Sequence, residues 1–130
     1  MANEITVTAQ LAYANPAFNI NSLSLLISTG GSAQFTITGK NYMRGTMAVP
    51  TTAGGTAIPL GGVSTPGGIM CFKNLDSTNY LQILTAVSGT VIIRIYPGEC
   101  FPIRLDATLT APAALSHTAI CEMEYLILEN

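Results

Sequence analysis

Apolar and polar residues alternate one for one over several short stretches of this chain, with turn-forming residues between them. In residues 4–12, Ile5, Val7, Ala9 and Leu11 alternate with Thr6, Thr8 and Gln10. A period of two sends the two sets to opposite faces of an extended chain, so the stretch predicts a half-buried strand. Asn15-Pro16 interrupts the pattern. Residues 18–28 carry Leu23, Leu25, Leu26 and Ile27, a run that fits a strand or a short helix and is read here as a strand. Gly30-Gly31 ends it. Residues 33–38 set Phe35 and Ile37 against Gln34, Thr36 and Thr38, Gly39-Lys40-Asn41 reads as a turn, and residues 42–49 form the next predicted strand, closed by Pro50.

Residues 51–68 hold Gly54-Gly55, Gly61-Gly62 and Gly67-Gly68 with Pro59 and Pro66, which predicts loop with one short strand near residues 56–60. No Gly-Lys-Ser/Thr and no helical period follows these glycines, so they read as turns with φ > 0 and not as a phosphate cradle. Further strands are predicted at 69–74, 80–85, 90–96, 99–106 and 118–129. Between 90–96 and 99–106, Pro97-Gly98 suits the centre of a type II turn, where proline sets φ and glycine takes φ > 0. The 75–79 turn offers Asp76 and Asn79 for Asx-type bonding. In 90–96, Val91, Ile93 and Ile95 share one face and Ile92, Arg94 and Tyr96 the other. In 118–129, Ala119, Cys121, Met123, Tyr125 and Ile127 alternate with Ile120, Glu122, Glu124, Leu126 and Leu128. Residues 107–117, which contain Ala and Pro, are expected to be irregular. Nine or ten strands and no amphipathic helix predict one all-β domain over residues 1–130, an antiparallel β-sandwich of jelly-roll type.

Composition adds a surface problem. Of 130 residues, 48% are apolar and only 9% charged, against about 25% charged in an ordinary soluble domain. One core of this size cannot hide half the residues, so part of the apolar surface is expected to be covered by partners. A surface of Ser, Thr, Asn and Gly is the plainer alternative. The net charge is −2, and the five basic residues, Lys40, Arg44, Lys73, Arg94 and Arg104, are scattered. That argues against direct nucleic-acid binding and against a polybasic membrane contact. The polar Met-Ala-Asn-Glu start shows no secretory pattern, and the longest apolar runs fall well short of a membrane span.

Chemistry is sparsely provided. His117 is the one histidine, so histidine-dependent acid–base or nucleophilic catalysis would have to use it. Its neighbour Ser116 does not make a triad, because a triad is a matter of geometry, and His117 reads as a surface residue. A zinc site would need Cys71, Cys100, Cys121 and His117 to converge without any Cys-x-x-Cys spacing. Three cysteines are also a poor disulfide framework, and each lies beside an apolar residue, so buried structural thiols in a reducing cytoplasm are expected. Glu122 and Glu124 share a strand face, and Asp76 and Glu99 sit in turns. Glu99 either pairs with Arg94 or Arg104 or stays solvated. A sugar-cleaving pair is not expected in a chain with no Trp. Catalytic, cofactor and metal sites are therefore expected to be absent, and the chain is expected not to be an enzyme.

The order of parts in the second half carries a resemblance. Thr65-Pro66-Gly67-Gly68 leads into Phe72-Lys73-Asn74-Leu75-Asp76-Ser77-Thr78-Asn79-Tyr80, then Pro97-Gly98-Glu99, Ile103-Arg104-Leu105 and a final Glu124-Tyr125-Leu126-Ile127-Leu128-Glu129. Over roughly its last 70 residues the chain resembles small virion proteins of tailed bacteriophages. The resemblance implies a non-enzymatic structural protein, a capsid cement or decoration protein binding the outer surface of the major capsid protein shell. A tail, neck or baseplate component is the alternative. A homotrimer, assembled in the host bacterial cytoplasm and located in the virion, is the expected form. A third reading is a carbohydrate-binding sandwich, for which Tyr13, Tyr42, Tyr80 and Tyr96 are the candidate stacking residues.

Overall fold

The structure, a computed structural model, describes residues 41–129 apart from 67, 68, 107 and 110. The strands expected at 4–12, 18–28 and 33–38, and Tyr13, lie outside the described residues. Within them the chain is all-β. Eight strands run in order: β1 (Tyr42–Val49), β2 (Thr56–Ala57), β3 (Met70–Asn74), β4 (Leu81–Leu84), β5 (Val91–Ile95), β6 (Cys100–Ile103), β7 (Ala113–Ser116) and β8 (Cys121–Leu128). They form two antiparallel four-stranded sheets, ordered β1-β8-β3-β6 and β2-β7-β4-β5. The pairing is nested: β4 lies beside β5, β3 beside β6, β2 beside β7 and β1 beside β8.

The sequence alternation sets the faces. In the first sheet Val49, Met70, Phe72, Met123, Tyr125 and Ile127 point inward; in the second, Leu81, Ile83, Ile95 and Ala114 do. They meet in one apolar core, which makes the pair of sheets a sandwich. The two central strands β3 and β8 carry most of the first sheet's share, while the edge strand β1 alternates exposed and half-buried positions along seven of its eight residues. The other edge, β6, contains Pro102, whose missing N–H is tolerated only where no further strand must pair.

Two expectations need correction. Residues 107–117 are not irregular throughout, because β7 occupies Ala113–Ser116 and lies between β2 and β4. Its Ala113 and Ala114 are fully buried, and small side chains suit a place where backbone comes close. A Cβ on Gly55 would sit 2.7 Å from the Ala114 carbonyl oxygen. The strand expected over 99–106 stops at Ile103. Beyond it Asp106 caps a turn, its carboxylate accepting the Thr108 N–H at 2.8 Å. The glycine-rich stretch does turn the chain, with φ of +89°, +73° and +57° at Gly54, Gly55 and Gly61.

A candidate binding surface at one end of the sandwich

Asn74 ends β3 and is completely buried, an expensive position for an amide unless every polar atom is matched. Its Nδ2 donates to the carbonyls of Asn79 at 2.9 Å and Ile95 at 3.1 Å, and its Oδ1 accepts the Asp76 N–H at 2.9 Å. Its backbone accepts from Gly98 N–H and donates to the Glu99 carbonyl. One residue, through its side chain and backbone, thus joins the β3–β4 turn to the end of β5 and the β5–β6 turn. Asp76 completes the first turn. Its carboxylate accepts the N–H groups of Asn79 at 2.6 Å and Thr78 at 2.7 Å, and these bonds hold its pKa below the ordinary aspartate value. In the second turn Glu99 N–H bonds the Tyr96 carbonyl at 3.0 Å, with Gly98 at φ +76°, as a type II turn requires.

The start of β8 and the β7–β8 loop are tied in as well. Leu75 N–H donates to the Glu122 carbonyl, and the Thr118 hydroxyl donates to the Asn79 side-chain oxygen. Ser116 N–H reaches back to the Pro50 carbonyl in the β1–β2 loop at 3.1 Å. Four loops are therefore knitted into one end of the sandwich. That end carries exposed apolar side chains: Leu75 at 42%, Tyr96 at 49% and Ile120 at 65%.

Strand register builds an aromatic row beside them. Leu81 lies opposite Ser116 on one side and Ile95 on the other, and all three point inward. The next residue outward, Tyr80, therefore faces solvent between His117 and Tyr96. The His117 ring stacks on Tyr80 with centroids 4.5 Å apart and planes 28° apart, and Tyr96 lies tilted at 5.7 Å. Arg94, one step along β5 on the same outer face, holds its guanidinium 4.4 Å from the Tyr80 ring centroid, a cation–π geometry. Tyr80 is half-buried and engaged by its neighbours. Tyr96, His117 and Arg94 are the accessible members. Together they offer an apolar plate with hydroxyl, imidazole and guanidinium groups at its rim, suited to docking a flat, partly polar surface.

The candidates for chemistry fall apart from one another. Ser116, 1% exposed, faces inward, where its hydroxyl donates to the Ala119 carbonyl and touches Cys121 Sγ at 2.9 Å. His117 faces outward, so the two are on opposite sides of the strand end. Glu124 forms an ion pair with Arg44 across β1–β8 at 2.9 Å, and the Glu99 carboxylate accepts the Tyr96 N–H at 2.8 Å. Cys121 sits in the core, and among the described residues no group of three or more His, Cys, Asp and Glu side chains could hold a metal ion. Tyr42 is exposed on the edge strand of the opposite sheet, away from the aromatic row.

One contact escaped the sequence reading. Cys71 on β3 and Cys100 on β6 lie diagonally across neighbouring strands with their sulfurs 3.2 Å apart. Cys71 is buried as expected, but Cys100 is exposed. No signal in the spacing of the cysteines announces this pair, because β3 and β6 are separated in sequence by the whole β4–β5 hairpin. No family model, no curated protein and no solved structure matches the chain.

Proposed function

We propose that this chain is a non-enzymatic structural protein of a tailed-phage particle, a cement or decoration protein that binds the outer surface of the major capsid protein shell. The observation that carries this reading is the knitted loop end, where Leu75, Tyr96 and Ile120 stand exposed among hydrogen-bonded loops. An apolar patch on a preorganised frame loses little ordering entropy when a partner covers it. Two of the segments that carry the phage resemblance, Asn74 to Tyr80 and Pro97 to Glu99, lie at this end. The nested strand order also supports a jelly roll, an architecture that viral capsid domains use.

Purified virions test the reading. A decoration protein is present in many copies, and particles lacking it lose shell stability. Replacement of Leu75 and Ile120 by Lys should abolish binding to such particles while the isolated protein stays folded. A few copies per particle, with heads unaffected by its loss, would move the protein to the tail, neck or baseplate; absence from virions would end the proposal.

The aromatic row favours a second reading, recognition of a sugar by the exposed face of Tyr96 beside Arg94 and His117. A glycan array read with the wild type and Tyr96→Ala decides it: hits that the variant loses support it, and an array without hits removes it.

A further inference from the structure

Cys71 and Cys100 belong to none of the contacts used so far. Their strands pair with Cys71 opposite Pro102 and Lys73 opposite Cys100, so all four side chains share the outer face of the first sheet. The sulfurs lie 3.2 Å apart, so a bond of about 2 Å would draw them closer by roughly 1 Å. One partner is buried and the other open to solvent. From this arrangement we infer that Cys71 and Cys100 form an oxidisable dithiol, a site that takes up a small-molecule disulfide and closes into an intrachain cross-strand bond.

The chemistry divides between the two. Cys71 holds its proton, its thiol pKa pushed up by the hydrogen bond to Cys100 and by burial. Cys100 is drawn down to about 7, chiefly because Cys71 donates to it, with Lys73 opposite adding a favourable charge. Cys100 is therefore the accessible thiolate and the attacking group. It attacks one sulfur of an oxidised glutathione molecule, forming a mixed disulfide and releasing one glutathione thiolate. Cys71 then loses its proton to solvent and attacks Cys100 Sγ. The mixed bond breaks, a second glutathione thiolate leaves, and the protein has given up two electrons to the reagent. The new bond pins the short, proline-containing edge strand β6 to the central strand β3.

The basic residues make this readable by mass spectrometry. Cleavage after Arg44, Lys73, Arg94 and Arg104 places Cys71, Cys100 and Cys121 on three different tryptic peptides, 45–73, 95–104 and 105–130. The folded full-length chain is incubated with oxidised glutathione, its remaining thiols are alkylated in denaturant, and the digest is run without reductant. The expected product joins 45–73 to 95–104, leaves Cys121 alkylated, and reverts with dithiothreitol. Cys121→Ser should give the same bridge, and Cys100→Ser should give none. The proposal falls if Cys71 is alkylated in full while Cys100 carries glutathione or links two chains, if Cys121 takes part in the bond, or if all three cysteines remain alkylatable.

Discussion

Asn74 is the residue on which the loop end turns. Its side chain, itself fully buried, matches the carbonyls of Asn79 and Ile95 and the N–H of Asp76. Truncation leaves those groups unmatched, at a cost of about 3 kcal/mol. Asn74→Ala should therefore lower the urea midpoint markedly with little change in slope. Asp76 gives a pH signature. Its folded pKa lies below the ordinary aspartate value of 3.8 because Asn79 and Thr78 N–H groups bond its ionised form. The stabilisation is complete above that value and is lost as pH falls through the lower folded value. Asp76→Asn should flatten the acid limb of a stability–pH curve below about pH 4 and leave its neutral slope unchanged. Part of this was legible from the sequence, since Asp76 and Asn79 have the composition of an Asx turn. The buried role of Asn74 was not, because nothing local distinguishes an asparagine at a strand end from one in a turn.

Elements divide in the same way. β1 and β8 were readable because each is eight residues long and presents one face to the core, which writes a period of two into the sequence. β7 was missed for the opposite reason. Its Ala-Ala-Leu-Ser has little intrinsic preference for a strand, and its extended form depends on neighbours on both sides. The aromatic row needed β7 in place and its register with β4, so Tyr80 and Tyr96 could be named as candidates but not brought beside His117. The thiol pair likewise needed the β3–β6 register. Pro97-Gly98 was legible by itself, and its turn can be tested alone. Gly98 has φ +76° and open space where a Cβ would stand, so a substitution there reports only the backbone. Gly98→Ala should cost about 1–2 kcal/mol and Gly98→Asn clearly less, since Asn tolerates the left-handed region; thermal melts of the two variants check this order.

At the scale of the molecule, the low charge and the exposed Leu75, Val87, Val91, Tyr96, Phe101 and Ile120 make apolar burial the expected source of any association energy. Contacts made by such side chains gain from apolar burial and are not weakened by screening. The homotrimer expected from the sequence should keep its mass by light scattering when salt is raised to about 1 M; a stable monomer in dilute solution would overturn that expectation. The nested strand order also dictates how the chain can assemble. Only β4 and β5 are joined by a short hairpin loop, whereas Tyr42 must find Leu128 almost at the other end of the described chain. Closing the inner hairpin first brings β3 near β6, that pair brings β2 near β7, and each later closure then spans a short residual loop instead of the whole intervening chain. The fold is thus built to zip from its middle outward, at the slow pace of non-local β pairing. Injury to β4–β5 should then be felt in the speed of folding, and injury to β1–β8 in the speed of coming apart.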